Sequence, residues 1–128
     1  MSKQQNLLQV LAQEVVEFRD ARGWEGYQNP KNCALGVLIE AGELAEHFHY
    51  LEGAALDEYL AEFKTEVGEE LSDVLFWVLL TADSQDIDLL KAFREKMKKN
   101  AEKYPPGREV GKAFRRLREK RAKVAGKK

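Results

Sequence analysis

Apolar residues recur along this chain at intervals of three and four, the period of an α-helix. Leu7, Leu8, Leu11, Val15 and Phe18 form the first such stripe, which predicts a helix over about 4–22, ended by Gly23. Asn29-Pro30 opens the next helix, with Asn as N-cap and Pro at the first helical position, where its missing N–H costs nothing. That helix is expected over 30–51, with Gly53 as its stop. Asp57 is expected to cap a short helix over 58–63, followed by a long helix over 64–83. Asp88 is expected to cap another over 89–103, closed by Tyr104-Pro105-Pro106-Gly107, and a last amphipathic segment over 112–124 is helical by propensity. Apolar alternation with β-branched residues, the mark of a half-buried strand, is absent.

Short connections favour antiparallel neighbours, so the predicted fold is all-α, a four-helix-type bundle. Residues 1–111 are expected to form the domain and 112–128 a basic C-terminal tail, helical or partly disordered. Several of these helices are apolar on more than one face. A single copy would leave greasy surface in water, so a homodimer or homotetramer is expected.

Composition narrows the class. Of 128 residues, 44% are hydrophobic and 34% charged, a balance suited to a packed helical domain. The single Cys33 excludes an intrachain disulfide and a multi-cysteine zinc site. The apolar run Val74 to Ala82 is too short to cross a bilayer, and the polar start Met1 to Asn6 leads into no signal-peptide pattern. A cytoplasmic protein is the expectation. Charge is lopsided: residues 112–128 carry nine Lys or Arg and one Glu, a net of +8, leaving −9 on the rest. A basic tail can meet polyanions, but with only Phe114 as an aromatic it lacks the interleaved rings of a nucleic-acid module.

Two acidic pairs carry the chemistry. Glu40-Ala41-Gly42-Glu43 and Glu70-Leu71-Ser72-Asp73 each place two carboxylates three residues apart, on one face of an apolar helix. Gly36, Glu40, Glu43 and His47 share one row of the second helix, and Glu70, Asp73 and Trp77 share one row of the long helix. If these rows face each other, four carboxylates converge, and a divalent cation is the natural compensator for that repulsion. Hard oxygen donors select Mg²⁺, with Mn²⁺ as a substitute, and Mg²⁺ readily shares its octahedron with phosphate oxygens. A solvated helix face is the plainer explanation for an isolated pair such as Glu66 and Glu69. A di-iron carboxylate centre needs two Glu-x-x-His motifs, and two histidines at 47 and 49 do not supply them.

The residues around these pairs resemble the MazG-like, dCTP pyrophosphatase-like group of all-α nucleoside triphosphate pyrophosphohydrolases. The likeness runs from about Phe18 to Pro105. It takes in Phe18 to Trp24, then Asn29-Pro30-Lys31-Asn32, both acidic motifs separated by 26 residues, and Lys96, Asn100, Lys103, Tyr104 and Pro105 as a closing K-x-x-x-N-x-x-K-Y-P pattern. The resemblance implies hydrolysis of a nucleoside triphosphate to the monophosphate and pyrophosphate, as in clearance of unwanted nucleotides. It implies that Glu40, Glu43, Glu70 and Asp73 hold Mg²⁺, with Glu40 or Glu43 handling the attacking water. Lys96, Asn100, Lys103 and Tyr104 would contact phosphates or sugar; their plainer reading is surface charge and helix capping. Lys31 and Asn32 belong to the same entry segment, and Trp24 and Trp77 would cradle the base. The dCTP-specific relatives tend to carry His where this chain has Gln28 and Trp where it has Tyr50, so a preference for dCTP is not implied. A reading from a different class is a non-catalytic helical bundle that binds nucleotide or a partner protein.

Overall fold

The computed structural model describes residues 6–107 and 110–126. Among these are six helices and no strand: α1 (Leu7–Asp20), α2 (Pro30–His49), α3 (Gly53–Glu62), α4 (Lys64–Ser84), α5 (Leu89–Lys103) and α6 (Val110–Ala125). The chain forms two compact units, dividing between Leu89 and Leu90.

The first unit is organised on α4, which packs most extensively against α2, next against α1 and more lightly against α3. Its starts follow capping chemistry. The predicted start of α1 at Gln4 lies outside the described residues. Within them, Asn6 caps α1 through a reciprocal box: its side chain accepts from the Gln9 N–H at 3.1 Å, and the Gln9 side chain accepts from the Asn6 N–H at 3.1 Å. Asn29 caps α2 by accepting from the Asn32 N–H at 3.0 Å, with Pro30 in the first turn as expected. At the end of α1 the Trp24 N–H reaches back to the Arg19 carbonyl and the Gly23 N–H to that of Asp20, with Gly23 at φ 65°. This paired closure needs a left-handed residue, and glycine adopts that conformation without strain.

One boundary differs from its expectation. Gly53 does not simply stop α2; it begins α3 in a left-handed conformation, φ 57°, and Asp57 lies inside that helix rather than capping it. The chain turns more tightly between α2 and α3 than a cap at Asp57 requires.

Buried apolar residues among the described ones are Cys33, Leu79, Leu80 and Ala82, of which Cys33 and Leu80 are fully enclosed, so α2 and α4 carry the core. Phe18 of α1 reaches the Phe76 ring of α4 edge-on at 5.9 Å, while Leu7, the first residue of the predicted stripe, stays 71% exposed. Apolar surface is also left on the outer face of α2: Leu35, Leu38 and Ile39 are 46%, 69% and 60% exposed. In the second unit, α5 ends with the Tyr104 N–H donating to the Asn100 carbonyl at 2.8 Å. No described helix is long and apolar enough to cross a membrane.

Candidate functional site

Helical period places Gly36, Glu40 and Glu43 on one side of α2, and Glu70, Asp73 and Trp77 on one side of α4. These two rows meet. One carboxylate oxygen each from Glu40, Glu43 and Glu70 lies within 4.8 Å of the others. Glu43 is exposed, whereas Glu40 and Glu70 are partly buried, and each of these two holds one inaccessible oxygen without a hydrogen-bond partner. Buried unpaired carboxylate oxygens are costly, so the arrangement suits a cation held by all three acids. Hard, anionic oxygen donors in this number fit Mg²⁺ or Mn²⁺.

The electrostatics follow from the geometry. Burial pushes the Glu40 carboxyl above its ordinary range, and hydrogen bonding and repulsion from Glu43 push it further. The nearby Trp77 side chain pulls the other way, and the charge of Asp73 adds to the rise. Asp73 is therefore within electrostatic reach of Glu40, but it is exposed and its oxygens stand outside the tight group of three.

The flanking residues are held in different ways. Trp24 is 41% exposed and meets Phe18 edge-on at 5.9 Å, with the Arg22 guanidinium 3.5 Å above the Phe18 ring. Gln28 is partly buried, and its side-chain Oε1 is inaccessible and has no hydrogen-bond partner. Its backbone carbonyl accepts from the Cys33 thiol at 3.3 Å, and burial pushes that thiol up. The Asn32 side chain donates to the Tyr27 carbonyl at 2.8 Å, so it ties down the loop ahead of α2. Lys31 is exposed. Tyr50 is 85% exposed and touches the His49 ring edge-on at 4.4 Å. Trp77 is partly buried against α2. Lys96, Asn100, Lys103 and Tyr104 belong to the second unit, where the Lys103 ammonium sits 5.2 Å from the Tyr104 ring centre.

Two elements of the site escape a reading of the row alone. His47, one turn beyond Glu43, is bonded through Nδ1 to the Tyr59 hydroxyl at 2.8 Å and so ties α2 to α3. Gly36 is buried, and its place on the acidic row was the only sequence signal that it matters.

An all-α domain whose two central helices bring acidic pairs together is the architecture of a nucleotide-hydrolase class. Residues 28–107 match the MazG nucleotide pyrophosphohydrolase domain, and the chain belongs to that family. Among curated proteins, dCTP pyrophosphatase 1 of Rattus norvegicus is 35% identical over 91 residues, covering 70% of this chain and 54% of that protein. The Homo sapiens dCTP pyrophosphatase 1 is also 35% identical, with the same coverage. The chain thus spans about half the length of these relatives. Among solved structures, a pyrophosphatase from Archaeoglobus fulgidus DSM 4304 superposes with a TM-score of 0.73 at 38% identity, covering 82% of this chain and 98% of that one.

Proposed function

We propose that this protein is a Mg²⁺-dependent nucleoside triphosphate pyrophosphohydrolase, converting a nucleoside or deoxynucleoside triphosphate and water to the monophosphate and pyrophosphate. The observation that carries the reading is the group of three carboxylates on α2 and α4 with two buried, unpartnered oxygens. Family membership and the dCTP pyrophosphatase relatives support the reaction class.

Glu40, Glu43 and Glu70 would hold the metal, with Asp73 completing the set. A divalent cation bound there supplies neutralisation of the triphosphate charge and of the charge that grows on the leaving pyrophosphate. Glu40, whose pKa is raised, would orient the attacking water and accept its proton, with Glu43 beside it. Water would attack the α-phosphorus, breaking its bond to the bridging oxygen. Trp24, Gln28 and Tyr50, with Lys31 and Asn32 at the entry of α2, would form the nucleoside side of the pocket. By the family likeness, Lys96, Asn100, Lys103 and Tyr104 would contact phosphates or sugar, from the same copy or from a neighbouring subunit. The exposed Leu35, Leu38 and Ile39 support a homodimer or homotetramer. The role would be removal of non-standard or surplus nucleotides in the cytoplasm.

Incubation with a panel of nucleotides and Mg²⁺ tests this reading. Pyrophosphate and monophosphate should appear in equal amounts. Stepwise release of orthophosphate would refute the reaction class. Glu40→Gln and Asp73→Asn should each abolish turnover at unchanged helical content, and full activity in both would refute the metal assignment.

A further inference from the structure

Gly36 is buried in the interior of α2, a position where glycine is less favourable to a helix than alanine. The neighbouring helix supplies the reason for it. A Cβ at position 36 would lie 2.3 Å from Cδ2, 2.5 Å from Cε3 and 2.6 Å from Cε2 of Trp77. Cδ2 is a ring-fusion carbon with ring bonds on every side, so at that range it is approached through the face of the indole. The bare backbone of α2 therefore lies against this face, a close approach that glycine permits. Phe76 meets the same ring edge-on at 5.4 Å, and Phe18 meets Phe76 in turn at 5.9 Å.

This seat lies close to the acidic group. Gly36 is four residues from Glu40, about 6 Å along α2, and Trp77 is seven residues from Glu70, about 10 Å along α4. The distance between packed helices depends on the side chains at their contact, and close-packed interiors transmit a displacement rather than absorb it. A methyl at position 36 would have to move from 2.3 Å to the 3.4 Å at which ordinary contact begins, a shift of more than 1 Å. The three carboxylate oxygens lie within 4.8 Å of one another, so a shift of that size between α2 and α4 opens the group. Resting on the reading of the acidic cluster as a metal centre, we propose that Gly36 and Trp77 are positioning residues. The indole seated on bare backbone fixes the separation of α2 and α4 at which Glu40, Glu43 and Glu70 reach one cation. The role rests on fit between a residue with no side chain and one with a large flat side chain. Room taken at position 36 can therefore be returned at position 77.

Calorimetric Mn²⁺ titration of the wild type, Gly36→Ala, Trp77→Leu, the double variant and Glu70→Gln tests this, with thermal melts alongside. Gly36→Ala should bind Mn²⁺ about 10- to 100-fold more weakly than the wild type, the loss typical of misplacing metal-binding groups by about 1 Å. Trp77→Leu empties the seat and should also weaken binding. The double variant should bind at least about tenfold more tightly than Gly36→Ala, because the smaller side chain at 77 admits the new methyl. Alanine at position 36 thus harms the protein that keeps Trp77 and helps the one that carries leucine there. If Gly36→Ala alone fails to fold, the comparison of Trp77→Leu with the double variant decides, and tighter Mn²⁺ binding by the double variant is the expected result. Gly36→Ala with a lowered melting temperature but wild-type Mn²⁺ affinity would show that the seat serves only the fold, and overturns the proposal. So does a loss of affinity that Trp77→Leu does not relieve. Absence of saturable Mn²⁺ binding by the wild type, or binding that Glu70→Gln leaves untouched, would instead remove the metal reading and the positioning role with it.

Discussion

His47 of α2 and Tyr59 of α3 share a hydrogen bond of 2.8 Å, in a partly buried setting where the Tyr59 ring also stacks on Phe63 at 4.6 Å. The bond closes the turn between the two helices one turn away from the acidic row. A single partly buried hydrogen bond contributes about 0.5–1.5 kcal/mol net. Tyr59→Phe keeps the stack and removes the bond, so it should lower unfolding stability by about that amount in urea titration. His47→Ala combined with Tyr59→Phe should then cost less than the two single changes added together. Strict additivity would show that the pair is not coupled.

The carboxylates predict a pH dependence whose sign reverses the usual acidic pattern. The folded-state pKa of Glu40 is raised above its ordinary value near 4.5 by burial and by Glu43. Between the ordinary and the raised value the folded state binds more protons than the unfolded state. Stability of the metal-free protein should therefore fall as pH rises through that interval and be recovered as pH falls. Glu40→Gln should remove this component, making the metal-free variant more stable than the wild type above the interval. Mg²⁺ should raise the melting temperature of the wild type at neutral pH and do so far less in Glu40→Gln. Thermal melts across pH with a chelator or Mg²⁺ present check both, and an unchanged wild-type melt on adding Mg²⁺ would contradict the metal reading.

A strained residue ends α4. Asp86 has φ 52°, with its N–H donating to the Asp83 carbonyl and the next N–H, from Ile87, reaching back to Ala82 at 2.9 Å. This is the closure that Gly23 makes for α1, built here on a residue with a side chain. Its negative charge also faces the negative end of the helix dipole. Asp86→Gly should stabilise the protein by about 0.5–1 kcal/mol, because glycine enters the left-handed region without steric cost. A decrease in the denaturation midpoint would mean that the Asp86 side chain makes a compensating contact.

These particulars divide what the sequence discloses from what it does not. Asn29-Pro30 and the helical period located α2 and α4 within a residue or two, because caps and amphipathicity are local. The i, i+3 acidic pairs were legible for the same reason. Convergence of Glu40, Glu43 and Glu70 needed only that the two rows face each other. The start of α3 was not legible, since a glycine that stops one helix and a glycine that launches the next look alike. Nor was the closure at Asp86, which carries no glycine signal. The seat of Trp77 on Gly36 depends on packing between α2 and α4, where spacing is silent, and the tie from Asn32 to Tyr27, though local, depends on the conformation of the loop ahead of α2.

The basic C-terminal helix is separable from the proposed chemistry. α6 begins at Val110, beyond residues 28–107 that match the family. Truncation after Gly111 removes a net +8 of charge but none of the acids and none of the residues proposed to contact nucleotide. The truncated protein should keep kcat and KM within about twofold, a change below the 1.4 kcal/mol that separates tenfold rates. Loss of kcat by a factor of ten or more would place α6 in the active assembly.

The outer face of α2 makes the last prediction. Leu35, Leu38 and Ile39 cluster on one flank of α2, from beside the acidic row round to the opposite side, and all three are more than two-fifths exposed. Three large aliphatic side chains in water on one helix face form a patch that association would cover. A closed symmetric dimer would pair this patch with its own copy, so one substitution acts on both sides of the contact. Leu38→Glu, at the most exposed of the three, would place two like charges in a desolvated interface and should shift the protein to monomer in sedimentation velocity. Helical content should be retained, since position 38 makes no contribution to the buried core of Cys33, Leu79, Leu80 and Ala82. If Leu38→Glu sediments like the wild type, this face of α2 is not where the copies meet.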